Sequence, residues 1–396
     1  MEKFCLAGIV KDEADYIIEW IAWHQLAGFN NIILADNSST DGTRSLLEAL
    51  ETIGVVRVIY QPSVAGNTQV HAYNKALEIA LGRYEYVMFL DADEFLVHES
   101  QRHGEERRLL EELVASGDVG SISVNWRCFG SGGHESKSPE PVLKRFTHCS
   151  DSPDFAADRH VKSMIKVNHV QQAGIHTSLL ISDLRYIDCA GEDVLDFSDR
   201  PDIGGKPDPR SGKTDSIRQG PLRVHHYVVK SKEEYLLKCQ RGTATRAGTP
   251  SRGDKYFNYH DVNGAKFLFE PGKLSRLERE MSAFKQRLNN ETPFGRSLTG
   301  TVGVSNAKSV IGWITDDTGY AKDLFVNIFV NGAHVARVSA DMFRPDLLQS
   351  GKSADGYCGF RWTHPCLLGC GDRVTVEPHA NMSKLAGCSD VVIGDD

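Results

Sequence analysis

Asp91, Asp93 and Glu94 set three carboxylates within four positions, directly behind the apolar run Val87-Met88-Phe89-Leu90. An unbroken apolar run is the pattern of a strand buried on both faces of a parallel sheet. Carboxylates gathered at the end of such a strand repel one another and lose hydration. A divalent cation removes that cost by taking their oxygens as ligands. The bland alternative is a solvated acidic turn after a core strand. The spacing favours a metal site at the carboxyl end of a central strand, where open α/β sheets bind ligands.

Alternating elements before this triplet supply the frame. Phe4 to Val10 reads as a strand, Ala14 to Gly28 as a helix with Ile17, Trp20, Ile21 and His24 at helical spacing, and Asn31 to Ala35 as a second strand. The cluster from Asp36 through Asp41 to Thr43 makes a turn that caps a helix from Arg44 to Leu50. Val55 to Tyr60 is a third strand, Gln69 to Leu81 a third helix and Val87 to Leu90 the fourth strand. Repeated βαβ units imply an α/β fold with a mostly parallel sheet, and they bring Glu13, Asp36 and Asp91 to one rim.

Beyond Gly120 strands are expected at Ser121–Asn125, Val142–Phe146, Val161–Val167, Ile175–Tyr186 and Arg223–Val229, the last carrying His225 and His226. Phe197 to Pro221 is dense in Gly, Pro, Ser, Asp and Lys and reads as a long mobile loop, expected to close over a ligand. Ser231-Lys232-Glu233-Glu234 fits a capping box, and Lys273 to Leu288 an amphipathic helix. From Thr299 short strands and turns take over, with Asn331-Gly332 a strong hairpin signal. The expected division is a catalytic domain over 1–270, a linking helix over 271–297 and a β-sandwich over 298–396.

The formal net charge of -8 argues against nucleic acid as the main partner. No stretch is long and apolar enough to span a membrane, and the N-terminal residues lack a charged-then-apolar signal pattern. Nine scattered cysteines without a C-x-x-C pair favour reduced thiols and a cytoplasmic location. Cys358, Cys366, Cys370 and Cys388 are too irregularly spaced to favour a zinc site.

At Lys11-Asp12-Glu13, Asp36 through Thr43 and Asp91-Ala92-Asp93, the chain resembles glycosyltransferases of the GT-A fold, family-2-like and family-92-like. Glu19-Trp20, His24, Glu94-Phe95, Phe129 through Gly133, Arg145-Phe146, Val161-Lys162-Ser163, His176, His226-Tyr227 and Lys230-Ser231 extend the resemblance over roughly residues 3–245. The resemblance implies transfer of a sugar from a nucleotide-sugar donor, expected to be a UDP-sugar, to a saccharide or glycan hydroxyl, with inversion. Glu13 and Asp36 would then serve the nucleoside, with Asp41 also among the donor-binding residues, and Asp91 the ribose or the metal shell. Asp93 would bind Mn²⁺ or Mg²⁺, with His226 as a further metal or diphosphate contact and Lys162 or Lys230 adding positive charge. Candidates for the general base are Glu94, Asp188, Glu192 and Asp193, while Trp126, Phe129 and His134 are candidates for the sugar pocket. Peripheral membrane association and self-assembly stay open.

Two alternatives fit the same triplet. A phosphohydrolase of the haloacid dehalogenase type also places Asp-x-Asp after a parallel strand, though normally after the first one. A sugar-binding or assembly protein with a decayed site would bind without turnover. A nicotinamide dehydrogenase is excluded, because Lys11-Asp12-Glu13 stands where a glycine-rich loop would be needed.

Overall fold

The computed structural model describes residues 1–102, 104–181, 183–194, 197, 208, 210–218, 220–242, 253–305, 309–363, 371–381, 383, 385 and 391–392. They form two compact units. One comprises Met1–Asn37 with Ser63–Ala283, the other Ser38–Pro62 with Phe284–Asp396.

The first unit begins with β1 (Glu2–Val10), α1 (Ile17–Leu26) and β2 (Ile32–Asp36). After α2 (Thr43–Thr52) and β3 (Arg57–Tyr60), which belong to the second unit, it resumes with α3 (Thr68–Ala80), β4 (Tyr84–Phe89), β5 (Glu94–His98) and α4 (Glu105–Leu113). β6 (Val119–Cys128), α5 (Val142–Arg145), β7 (His148–Cys149), β8 (Val161–Lys166), β9 (Val170–Gln172), β10 (Leu179–Leu180), β11 (Arg185–Asp188) and β12 (Leu222–His226) follow. α6 (Lys232–Arg241), α7 (Asp254–His260), β13 (Ala265–Lys266) and α8 (Pro271–Glu291) come next, α8 running on into the second unit.

β2, β1 and β4 pair in parallel, as the βαβ pattern requires. β8 then enters antiparallel between β4 and β6, so the sheet is mixed. β11 and β12 both pair in parallel with β6, and β5 closes the edge antiparallel to β12. Crossing of β1 and β4 is tight: a Cβ on Gly8 would stand 2.6 Å from the carbonyl oxygen of Leu90, so only glycine fits there.

α1 positions the turn that follows β4. The indole N–H of Trp20 donates to the carbonyls of both Asp91 (3.0 Å) and Glu94 (2.9 Å), and that of Trp23 to Leu96 (2.8 Å). His24 donates through Nδ1 to the Trp20 carbonyl, and its Nε2 accepts the Leu96 amide. This side of the ladder is saturated, so the acidic turn is held in one geometry.

Several expectations are corrected. Val142–Phe146 is not a strand. Val142–Arg145 is a short helix whose first amides, Val142 and Leu143, donate to the buried carboxylate of Glu19 at 2.7 and 2.9 Å. An apolar pair there reads as a strand locally, but a cap supplied from α1 satisfies helix donors instead. Ile175–Tyr186 is broken: only Leu179–Leu180 and the start of β11 are strand. Of the expected mobile loop, 198–207, 209 and 219 lie outside the described residues. Its described part packs: Ser211 and Thr214 are buried, Asn125 Nδ2 donates to Thr214 Oγ1 at 2.9 Å, and the Val161 amide donates to the Gly212 carbonyl. α4 and α7 were not foreseen, whereas the capping box at Ser231–Glu234 is formed.

In the second unit β14 (Leu298–Ser305), β15 (Ser309–Asp316), β16 (Phe325–Val330), β17 (Ala333–Ser339), β18 (Met342–Phe343), α9 (Pro345–Gln349), β19 (Tyr357–Thr363), β20 (Arg373–Pro378) and β21 (Val391–Val392) make two antiparallel sheets. Their orders are β14-β15-β19-β18 and β17-β16-β20-β21. Val310, Ile314 and Phe360 from one and Val326, Ile328 and Val374 from the other share a core, with Trp313 half-buried against it. Asn331 and Gly332 both have positive φ, 51° and 79°, the geometry of a two-residue hairpin. α2 contributes Glu48, whose buried carboxylate accepts from Asn327 Nδ2 (2.7 Å), the Ala380 amide (2.7 Å) and the Tyr60 hydroxyl (2.8 Å). Of the four cysteines considered for zinc, Cys366, Cys370 and Cys388 lie outside the described residues.

Candidate active site

At the carboxyl rim of β1 and β4 the first unit holds a cleft of ≈ 250 Å³. Glu13, Asp91, Asp93, His226, Lys238 and Arg241 are among its lining residues. Five of these side chains pair with one another across the cleft. Lys238 Nζ donates to Asp93 Oδ2 at 2.5 Å and to the Val228 carbonyl at 3.0 Å. Arg241 bonds the carboxylate of Glu13 and the carbonyls of Lys11 (2.5 Å) and Asp12 (2.6 Å). His226 Nε2 stands 3.6 Å from Asp93 Oδ1.

The two aspartates of the triplet have different surroundings. Asp91 accepts from Lys162 Nζ (3.0 Å) on one oxygen and from Gln69 Nε2 (2.7 Å) on the other. Asp93 is buried, which works against its charge, yet Lys238 and then His226 hold its carboxyl well below the usual range. Burial opposes the charge on Lys162 too, but Asp91 and Glu94 outweigh it and keep the ammonium protonated.

Glu94 is sealed rather than presented. It is fully buried, accepts the Asp91 amide at 2.8 Å, and lies 3.3 Å from Lys162. Burial pushes its carboxyl up to about 8; Lys162 works against this, and the neighbouring charges of Asp91 and Asp93 add to it. Its second oxygen has no hydrogen-bond partner among the described residues. Glu94 therefore closes the acidic turn from behind.

The other sequence candidates distribute as follows. Lys230 sits behind Glu13, 3.8 Å from its Oε2 and over the Tyr16 ring at 3.5 Å. Asp36 is buried at the end of β2, in register with Val10. Asp41 belongs to the second unit and accepts from the amide and hydroxyl of Thr43 at 2.9 and 2.6 Å, opening α2. Asp193 is exposed and paired with Arg185 at 2.8 Å, and Asp188 accepts the amides of Ala190 and Glu192. None of Glu94, Asp188, Glu192 or Asp193 lines the cleft. Trp126 does line it, stacked on His160 and in contact with His226, its buried indole N–H without a partner among the described residues. Phe129 is buried among His225, Tyr227 and Phe267, and His134 meets the edge of Phe146.

Lys238 and Arg241 were not singled out from the sequence. The signal was available: they lie three residues apart on the helix opened by the capping box, hence on one face. That helix is fixed by a buried bidentate pair, Arg145 to Glu234 at 2.9 and 2.8 Å, to which the Tyr16 hydroxyl adds a third bond. Arg145 and Glu19, both on the resemblance, thus build the support and do not touch the cleft.

Among the described residues no three His, Cys, Asp or Glu side chains form a ready-made metal site. Two of the three expected ligands nonetheless face one point. Asp93 Oδ1 and His226 Nε2 offer an oxygen and a nitrogen, whereas both oxygens of Asp91 already have partners. Such a pair suits Mn²⁺ better than Mg²⁺, which takes oxygen ligands, and substrate oxygens would have to complete either shell.

Residues 3–187 match the model of glycosyltransferase family 92. This stretch, a little under half of the chain, contributes Glu13, Asp91, Asp93, Trp126 and Lys162; His226, Lys238 and Arg241 come after it. The chain is 27% identical over 172 residues to the glycosyltransferase family 92 protein At1g27200 of Arabidopsis thaliana, covering 41% of this chain and 28% of that protein. It therefore spans less than a third of the length of that curated relative. Both matches are to one enzyme class, the glycosyltransferases. Among solved structures, S. aureus TarS is similar at 10% identity and a TM-score of 0.32, over 95% of this chain and 76% of that one. The 1–349 piece of S. aureus TarS gives 15% identity and a TM-score of 0.28, over 42% and 47%.

Proposed function

We propose that the chain is a glycosyltransferase of GT-A type that moves a sugar from a nucleotide-sugar donor, in our reading a UDP-sugar, to a saccharide hydroxyl, with inversion and with a divalent cation. The observation that carries this is the cleft itself, which sets Lys238 and Arg241 opposite Asp93 and His226 at the sheet's carboxyl rim. A diphosphate together with a divalent cation brings charges that complement both halves. Asp93 and His226 would hold Mn²⁺ or Mg²⁺, which when bound withdraws negative charge from the diphosphate as a Lewis acid. Lys238 and Arg241 supply further positive charge where the leaving group gains negative charge, so their effect grows toward the transition state. Glu13 orients Arg241, and Lys162 fixes Asp91 so that it faces the ribose.

The match of residues 3–187 to a glycosyltransferase family supports the reaction class, and the two C-terminal sheets with one core support the reading of a β-sandwich. Cys5, Cys128, Cys149, Cys189, Cys239 and Cys358 are free thiols, which suits our reading of a cytoplasmic protein. No described helix is long and apolar enough to cross a membrane. A thermal-shift titration with nucleoside diphosphates, with and without Mn²⁺, tests the proposal. UDP with Mn²⁺ should raise the melting temperature of the wild type and leave Asp93→Asn unmoved. Equal shifts for both proteins would remove Asp93 from the site.

A further inference from the structure

We propose that a second cavity beside the charged cleft is the subsite for a neutral saccharide acceptor, and that His176 orients the attacking hydroxyl there. The inference rests on the transferase reading above. The cavity, of ≈ 420 Å³, is walled by Val70, Ala173, Gly174, Ile175, His176 and Ser211 among others. That volume lies in the range of about 300–1,000 Å³ typical of small-ligand sites. Ile175 and His176 line the charged cleft as well, so the two spaces meet at this pair.

The division of charge between them is the first argument. Carboxylates and cations crowd the cleft. Among the described residues that line the second cavity the only formal charge is Arg210, and Asp208 neutralises it, Nε to Oδ1 at 2.9 Å. An uncharged ligand with hydroxyls and C–H faces suits small apolar walls and neutral polar groups; a phosphate does not. Second, Ser211 is 1% exposed and its hydroxyl has no partner among the described residues. Leaving a buried hydroxyl unsatisfied is unfavourable, and a ligand hydroxyl would satisfy it.

His176 supplies the third argument. Its Nδ1 donates to the Val161 carbonyl at 2.9 Å, which fixes the tautomer and leaves Nε2 as the ring's acceptor. Burial, reinforced by Lys162, keeps the imidazole neutral, so that acceptor persists at working pH. The ring is clamped: a Cβ on Gly212 would fall 2.8 Å from its Cδ2, and Trp126 meets it edge-on at 5.6 Å. The backbone is clamped as well, through Ser163 Oγ to the His176 carbonyl at 2.7 Å. Thr177 Oγ1 ties the neighbouring wall to the carbonyls of Asp208 and Ser211, both at 3.1 Å. A rigid neutral acceptor at the junction is what a hydroxyl needs to be aimed from the second cavity into the first.

Saturation-transfer NMR on the full chain loaded with UDP and Mn²⁺, using a panel of methyl hexopyranosides, reads the second cavity, and calorimetry with UDP reads the cleft. At least one glycoside should show saturation in the wild type and lose it in Ala173→Leu, which fills the cavity, with UDP affinity unchanged. Ser211→Val is the second filling variant, should Ala173→Leu fail to fold. His176→Phe should lower glycosyl transfer to the bound glycoside by about 10²-fold without weakening UDP. Loss of UDP affinity in the filled variants would assign the cavity to the nucleoside and overturn the proposal. So would undiminished saturation in them, or no saturation by any glycoside in the wild type. Failure of UDP to bind the wild type would overturn the transferase reading first, and this one with it.

Discussion

Lys238 Nζ reaches Asp93 Oδ2 at 2.5 Å across 145 positions of sequence, joining the last turns of α6 to the acidic turn behind β4. Each partner is mostly buried, and each lies where the other's charge is needed. The cleft therefore owes its electrostatics to a helix as much as to the acidic triplet.

Replacing Lys238 by methionine should reduce transfer by about 10²–10³-fold, the usual effect of removing one donor to developing charge. It should also destabilise the protein, by roughly 3–5 kcal/mol, because Asp93 stays buried and loses its strongest counter-charge. The double variant Asp93→Asn/Lys238→Met should recover most of that stability and none of the activity. Urea denaturation of the three proteins checks this; equal stability of wild type and Lys238→Met would show that the pair is not held in solution.

Arg145 does not line the cleft, yet its variant should lose nucleotide binding. Its bidentate pair with Glu234 is buried, and Glu234 also closes the capping box of α6. Burial works against the charge on Glu234, but Arg145, Ser231 and Tyr16 together pull its carboxyl down to about 2. Arg145→Met should cost roughly 3–5 kcal/mol and weaken UDP binding through displacement of Lys238 and Arg241. Calorimetry giving wild-type affinity with lowered stability would separate the support from the site.

His24 should make the fold sensitive to mild acid. Burial lowers its imidazole to about 3, and Nε2 already accepts the Leu96 amide, so a proton there breaks a core bond. The folded pKa lies below the unfolded value near 6.5. The unfolded chain thus binds more protons between the two, and stability falls as pH drops from about 6.5 toward 3, by about 1.4 kcal/mol per unit. His24→Asn should be less stable than wild type at pH 7.5, and its stability should change less between pH 7.5 and 5. Identical pH slopes would place the acid sensitivity elsewhere.

Glu48 should prove indispensable to the second unit. Its alanine variant strips acceptors from Asn327, Tyr60 and the Ala380 amide, each loss costing about 1–3 kcal/mol where the donor stays dry. A clear drop in melting temperature is expected, and a change below about 1 °C would show that water replaces the carboxylate.

The strands and helices up to β4 follow from local pattern, because buried βαβ units write their periods into the sequence. The acidic triplet is legible for the same reason: its carboxylates end an apolar run. The division of labour within it is not. Asp93 faces Lys238 while Glu94 is enclosed by Trp20's side of the turn, and only the β4–β5 geometry decides between them. Val142–Arg145 misreads as a strand because its cap comes from Glu19, distant in sequence. The same distance hides the placing of α2 and β3, whose second-unit partners lie more than 250 positions away.

That separation sets an order of events during synthesis. The Glu48 carboxylate and the Ala380 amide stand 332 residues apart, so this bond cannot close until residue 380 has left the ribosome. The segment 38–62 is made more than 200 residues before its partners from 284 onward and waits for them, exposing the apolar face of α2 meanwhile. The second unit then matures only after residue 380 is free, whatever the first unit achieves before that. Translation stalled before residue 380 should yield a nascent chain that protease cuts within 38–62, where the released protein resists.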